Sequence, residues 1–136
     1  MMNTATEKTL SKIIGVGLFT TIVFLINGTV TDPVNAPKLF VLGAFAFAIL
    51  FFIARYLIEW IKLEGLLLAG VSLIFLVTSL SAVVFSSGPL SQNLYGSYGR
   101  NNGLLMYLFL LIFFLATAML QSKDSIKFLA ISFYLH

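Results

Sequence analysis

The side chains able to do chemistry in this 136-residue chain are few and are gathered in its polar connections. There is no cysteine, and the single histidine is the last residue, so no thiol nucleophile, thiolate metal site or histidine cluster can be assembled. The most informative stretch is residues 86–103, SSGPLSQNLYGSYGRNNG, in which Arg100 is the only charged residue and Asn101 and Asn102 follow it directly. A guanidinium offers a planar fork that grips phosphate oxygens in bidentate fashion, which a lysine ammonium cannot imitate. Read alone, Arg100 is first an anchor for lipid headgroups and second a site for a functional anion. Tyr95 and Tyr98 alternate with Gly96, Gly99 and Gly103, and Gly88-Pro89 interrupts any helix that precedes them. Gly-Ser-Tyr-Gly is no nucleotide fingerprint, because no strand leads into it and no Gly-Lys-Ser/Thr closes it. The other connection of interest carries Asp32, Pro33, Pro37 and Lys38, the last placed where its stem can snorkel to headgroups.

The elements that hold these residues are apolar runs of bilayer length. Hydrophobic residues make up 60% of the chain, charged residues 10%, and the mean hydropathy is +1.04. Four runs, residues 13–30, 39–58, 65–85 and 103–121, each approach the roughly 17–25 residues that a spanning helix requires. A water-soluble domain of this size cannot bury every face of four such helices. The expected fold class is therefore all-α, a polytopic transmembrane bundle of four spans.

Charge sets the expected orientation. Lys8, Lys12, Arg55, Lys62, Lys123 and Lys127 fall on the side of the N-terminus, and only Lys38 and Arg100 on the other. The positive-inside rule makes the N-terminus cytoplasmic and turns residues 27–38 and 86–102 outward. Tyr56 and Trp60 suit the headgroup level beside the inner connection 59–64. The net charge of +3 contains no polybasic run, which speaks against a nucleic-acid partner. Residues 13–30 exceed the roughly 7–15 apolar residues of a secretory signal, despite the preceding lysines. Asn27-Gly28-Thr29 matches a glycosylation sequon only formally. Small residues four apart, Ala44 with Ala48, Gly65 with Ala69, and Thr78, Ala82 and Ser86, predict close packing of the second span on the third.

Residues 126–136 read as the first turns of a fifth helix. The expectation is that the chain is the N-terminal piece of a larger polytopic protein; the alternative is a complete four-helix protein with an interfacial tail.

The stretches Thr31-Asp32-Pro33-Val34-Asn35-Ala36-Pro37-Lys38-Leu39-Phe40 and Leu94-Tyr95-Gly96-Ser97-Tyr98-Gly99-Arg100-Asn101-Asn102-Gly103-Leu104-Leu105 together resemble the N-terminal part of the bacterial O-antigen ligase family, which includes O-antigen polymerases. The likeness lies in a D-P-x-N-x-P-K lead-in to the second span and a G-x-Y-x-R-x-x-G-L element before the fourth. It implies a multi-pass enzyme of the bacterial inner membrane with about a dozen spans. Such an enzyme transfers glycan from a polyprenyl diphosphate to an acceptor on the outer side. It further implies that Arg100, with Lys38 as second candidate, holds the diphosphate, with Tyr95, Tyr98, Asn101 and Asn102 supporting the loop. The partners so implied are the lipid-linked glycan, membrane lipids and further C-terminal spans of the same protein; no metal or cofactor is called for. The catalytic histidine usual in the ligases has no counterpart, since His136 matches nothing, and this piece alone is expected to be inactive. The competing reading is a small non-catalytic membrane scaffold. A channel or transporter is disfavoured because the spans carry no charged residue away from their ends.

Overall fold

A computed structural model describes residues 2–23, 35–96 and 103–134. All regular structure among the described residues is helical: α1 Thr4–Val23, α2 Asn35–Trp60, a π-helical turn Ile61–Gly65, α3 Leu66–Val84, the short α4 Leu90–Tyr95, α5 Leu104–Ala118 and α6 Lys123–Tyr134. Residues Ala36–Val84 form one unbroken helical run of 49 residues, long and apolar enough to cross a membrane.

That run is not straight. At the start of α5, Leu105 shares a groove with Ala36, Leu39 and Phe40, while Met119 beyond its end sits with Tyr56 and Trp60. α5 therefore runs parallel to α2. Leu104 and Tyr107 instead meet Ser79, Ala82 and Val83, whereas Leu110 and Phe114 meet Val71 and Ser72, so α3 runs antiparallel to α5. The two arms of the run point in opposite directions, and the chain folds back at Ile61–Gly65. The indole of Trp60 lies where a β-carbon on Gly65 would stand, so the reversal is packed by the ring against bare backbone.

The core forms where α1, α2, α5 and α6 meet. Leu42, Ala46, Ile49 and Ile53 recur at helical spacing on one face of α2 and pack with Leu10 and Ile14 of α1, Phe113 and Ala116 of α5, and Leu129 of α6. Aromatic rings seat against bare backbone at two glycines. A β-carbon on Gly17 would stand 2.8 Å from Phe45 Cγ, and one on Gly43 2.8 Å from Phe109 Cε2. α5 lies between α2 and α3, which do not pack on one another among the described residues. The expected close packing of these two arms through Ala44, Ala48, Thr78, Ala82 and Ser86 is thus overturned: none of these five residues is buried. Local four-residue spacing identifies a smooth helix face but does not choose its neighbour, and here α5 takes that place.

The helix ends follow from local chemistry. Asn3 caps α1, its Oδ1 accepting from Thr6 N at 2.8 Å and Thr6 Oγ1 at 2.7 Å. α2 starts at Asn35, earlier than the apolar run at residue 39, because Pro37 is tolerated in a first turn where its missing N–H is no loss. α5 closes at Ala118 rather than at residue 121, and α6 opens at Lys123.

Two features mark the exterior. Large apolar side chains cover it, Phe51 being 89% exposed, and only 6% of the most apolar stretch of the Ala36–Val84 run is buried. Several hydroxyls along the helices bond back to their own backbone: Thr20 donates to Val16 O (2.7 Å), Thr78 to Ile74 O (3.0 Å), Ser81 to Val77 O (2.8 Å) and Thr117 to Phe113 O (2.8 Å), whereas the buried Ser72 and Ser125 hydroxyls have no partner among the described residues.

Candidate functional site

The described parts of the two motif stretches, among them Ala36, Leu39, Phe40, Tyr95 and Leu105, come together at the end of the bundle where α2 begins and α3 ends. After Phe85 the chain turns through Gly88 and Pro89 into α4, six residues long, which stops at Gly96 with φ 93° and ψ 175°. That region of backbone space is open essentially to glycine alone. The chain returns at Gly103, where a β-carbon would collide with Gly96 N, Leu94 O and the Tyr95 carbonyl carbon. Gly96 and Gly103 are thus pressed together as the base of the segment 97–102. Arg100, Tyr98, Asn101 and Asn102 lie in that segment, outside the described residues, as do Asp32 and His136.

An apolar groove of about 410 Å³ runs down one side of this base, between α2 and α5. Ala36, Leu39, Gly43 and Phe47 line it on α2, and Leu105 and Phe109 on α5. Ala36 to Phe47 at 1.5 Å per residue gives a length of roughly 16 Å. Phe47 and Phe109 meet edge to face, ring centroids 6.0 Å apart, which fixes the inner end. Tyr95, exposed, stands at the mouth.

Lys38 does not join the groove. At about 100° per residue it falls on nearly the opposite side of α2, in register with Leu42, Phe45 and Ile49, and Phe45 is the ring that packs on Gly17 of α1. Of the residues singled out from sequence and described, Tyr95 belongs to the groove and Lys38 to the α1 side.

On the other side of the base a second cleft, about 480 Å³, opens between α3, α4 and the start of α5. Ser79, Ser86, Gln92, Asn93 and Tyr107 supply its polar atoms, and no charged side chain among the described residues lines it. Neither this cleft nor the groove residues emerged from sequence reasoning. The groove left a signal, small residues Ala36 and Gly43 interleaved with Leu39 and Phe47 at helical spacing; a serine in an apolar run left none.

The opposite end of the molecule holds the long-range polar contacts. Glu7, buried on α1, accepts Ser122 N–H at 2.7 Å and Gln121 N–H at 3.1 Å through Oε2, and the Gln121 side chain donates to Glu64. A cavity of about 20 Å³ among Glu7, Tyr56, Trp60, Glu64 and Gln121 has room for a single water. Arg55 lies over Tyr56, its Cζ 4.7 Å from the ring centroid.

No protein-family model, curated protein or solved structure matches this chain.

Proposed function

We propose that the chain is the N-terminal membrane part of a glycan transferase that takes its donor as a polyprenyl diphosphate on the outer side of a bacterial inner membrane. The observation that carries this reading is the apolar groove whose mouth stands beside the glycine-closed base of the Arg100 segment. An isoprenoid chain requires a dry groove and a diphosphate requires a cation at its mouth; the groove lies beside the base from which the Arg100 segment departs. In transfer, the acceptor hydroxyl oxygen bonds to the anomeric carbon while the bond from that carbon to the diphosphate oxygen breaks. The electron pair leaves on the diphosphate, where Arg100 stabilises it. The acceptor proton goes to a base in a further part of the protein. Lys38, on the α1 side of α2, is the lesser diphosphate ligand.

The membrane reading is a multi-pass one, with α1, α2, α3 and α5 as four spans, α6 opening a fifth, and the N-terminus cytoplasmic. It is supported by the small buried fraction of the long apolar run, where a soluble core helix is mostly covered and a signal sequence sits near the N-terminus. Back-bonded hydroxyls suit a medium without water. Lys8, Lys12, Lys62, Lys123 and Lys127 gather at the end where the chain folds back, as the positive-inside rule asks. α3, at 19 residues, is about 28 Å long, and α5, at 15, about 22 Å, so α5 crosses only with help from the residues at its ends.

The test is binding of undecaprenyl diphosphate and of undecaprenol to the chain in nanodiscs. Ala44→Phe, which fills the groove from its outward rim, is expected to weaken both lipids; Arg100→Ala is expected to weaken only the diphosphate. Equal binding of both lipids to wild type and to Arg100→Ala would overturn the proposal. Loss of neither lipid in Ala44→Phe would remove the groove from it and favour a membrane scaffold.

A further inference from the structure

The neutral cleft between α3, α4 and α5 is not used by a lipid tail or a diphosphate. Its lining offers hydroxyls at Ser79, Ser86 and Tyr107 and carboxamides at Gln92 and Asn93, groups that donate and accept, with no charge among them. A hydrocarbon seated there would strip water from the Ser79 and Tyr107 hydroxyls without replacing its hydrogen bonds. An anion or a cation would find no counter-charge among the described residues that line it. The occupant that suits the cleft is uncharged and hydrogen-bonds in both directions along its length.

The cleft is also prepared for such an occupant. Ser86 Oγ donates to Asn93 Oδ1 (3.2 Å), Asn93 Nδ2 donates to Gly88 O (3.3 Å), and Gly88 N–H donates to Ser86 Oγ (3.2 Å). This closed ring fixes the Asn93 carboxamide against the turn. The Tyr107 ring is fixed edge to face on Phe75, centroids 6.3 Å apart at 72°. Thr78 and Ser81 on the same helix spend their hydroxyls on their own backbone, at 3.0 and 2.8 Å. Ser79, which lines the cleft, makes no such bond among the described residues. A serine in an apolar helix that does not bond back to its own carbonyl leaves its hydroxyl for something else.

We propose that this cleft binds the sugar ring of the donor that lies nearest the diphosphate, as a neutral pyranose-binding site. Leu104 lines the cleft and Leu105 the groove, so the α5 start divides the two. A donor straddling it puts its lipid on one side, its sugar on the other and its diphosphate at the Gly96–Gly103 base. The identification of the ligand as the donor's sugar rests on the glycan-transfer reading; the affinity of the cleft for neutral sugars does not, and is tested separately.

The chain has no native cysteine, so Ala82→Cys places one reporter thiol on the cleft wall, and Ser87→Cys one on the exposed turn outside it. Alkylation by a water-soluble maleimide is timed in nanodiscs with and without methyl glycosides of glucose, galactose and N-acetylglucosamine, and with glucuronate as charged control. At a sugar concentration twice its dissociation constant, occupancy slows the reporter about threefold. The expected result is protection of Ala82→Cys by at least one neutral glycoside, none by glucuronate, and none at Ser87→Cys. Ser79→Ala and Tyr107→Phe, each a loss of one hydroxyl at nearly constant shape, are expected to abolish it in the Ala82→Cys background. Should no glycoside slow the reporter, or glucuronate slow it equally, or Ser79→Ala and Tyr107→Phe leave protection unchanged, the cleft is not a sugar site. Arg100→Ala is expected to leave protection intact, so failure of the diphosphate site and failure of the cleft give different results.

Discussion

Glu7 Oε2 accepts the backbone N–H of Ser122 at 2.7 Å, tying the first helix of the chain to the start of the last across 115 residues of sequence. The same oxygen takes the Gln121 N–H at 3.1 Å, and the carboxylate, only 5% exposed, faces the N-terminus of α6, where the helix dipole favours negative charge. An apolar bundle gains little register from its greasy faces alone. This contact supplies a directional one.

Glu7→Ala takes the carboxylate acceptor from two part-buried N–H groups. Hydrogen bonds to a charged group are worth roughly 1.5–3 kcal/mol each, so the variant is expected to lose stability by about that much or more. Glu7→Gln keeps an acceptor and is expected to lose less. Thermal unfolding in detergent measures the loss, and amide hydrogen exchange at Gln121 and Ser122 locates it. Exchange unchanged at both amides in Glu7→Ala would exclude the contact as a constraint on α6.

The turn between α2 and α3 makes a second prediction. Gly65→Ala drives a β-carbon into the Trp60 indole and is expected to destabilise by about 1–3 kcal/mol, the usual range for overpacking. Trp60→Leu in the same chain should recover part of this, giving a coupling of roughly 0.5–3 kcal/mol in a double-mutant cycle. Additive losses would mean that the ring and the glycine do not share the space.

Much of this fold could be read in advance and the rest could not, for physical reasons. Apolar length alone marks α2, α3 and α5 as helices, since runs this long and uninterrupted exceed what a strand carries. The break at Gly88-Pro89, the short α4 and the glycines around the Arg100 segment were legible too, since backbone chemistry is local. Packing partners were not. Ala44 and Ala48 have the spacing of a close contact and face outward, whereas Gly17 and Gly43 carry the close approaches against Phe45 and Phe109. Lys38 was grouped with Arg100 because both lie at one end; a helical projection sets it on the α1 side of α2. Nothing in the sequence singles out Glu7, and only the fold brings Ser122 to it.

Topology gives a third prediction. Single cysteines replacing Asn35 and Ser97 are expected to react with a membrane-impermeant maleimide added to intact cells, and one replacing Lys123 only after permeabilisation. The chain's lack of native cysteine makes the readout clean. The reverse pattern would invert the assignment drawn from Lys8, Lys12, Lys62, Lys123 and Lys127.

The base of the Arg100 segment gives a fourth. Gly96→Ala forces a side chain into a backbone region that costs on the order of 1–3 kcal/mol, and Gly103→Ala meets the backbone of Leu94–Gly96. Both are expected to weaken undecaprenyl diphosphate far more than undecaprenol, because the groove beside them is unchanged. Equal weakening of the two lipids would indicate damage to the bundle instead.

The last prediction separates a grip from an anchor at Arg100. If the guanidinium holds the leaving diphosphate, Arg100→Lys in the transfer-competent protein still impairs transfer, because a point charge replaces a bidentate fork, and Arg100→Ala impairs it further. A charge-assisted contact of roughly 1.5–3 kcal/mol, if felt in the transition state, corresponds to a loss of about ten- to over a hundredfold in rate. A headgroup anchor behaves otherwise: lysine substitutes freely and alanine costs little, since exposed charge contacts with lipid are interchangeable. The measurement is glycan transfer in membranes, normalised to protein level so that lost folding is not counted as lost chemistry. Wild-type transfer by both variants would return Arg100 to the role of anchor and leave the groove without its cation.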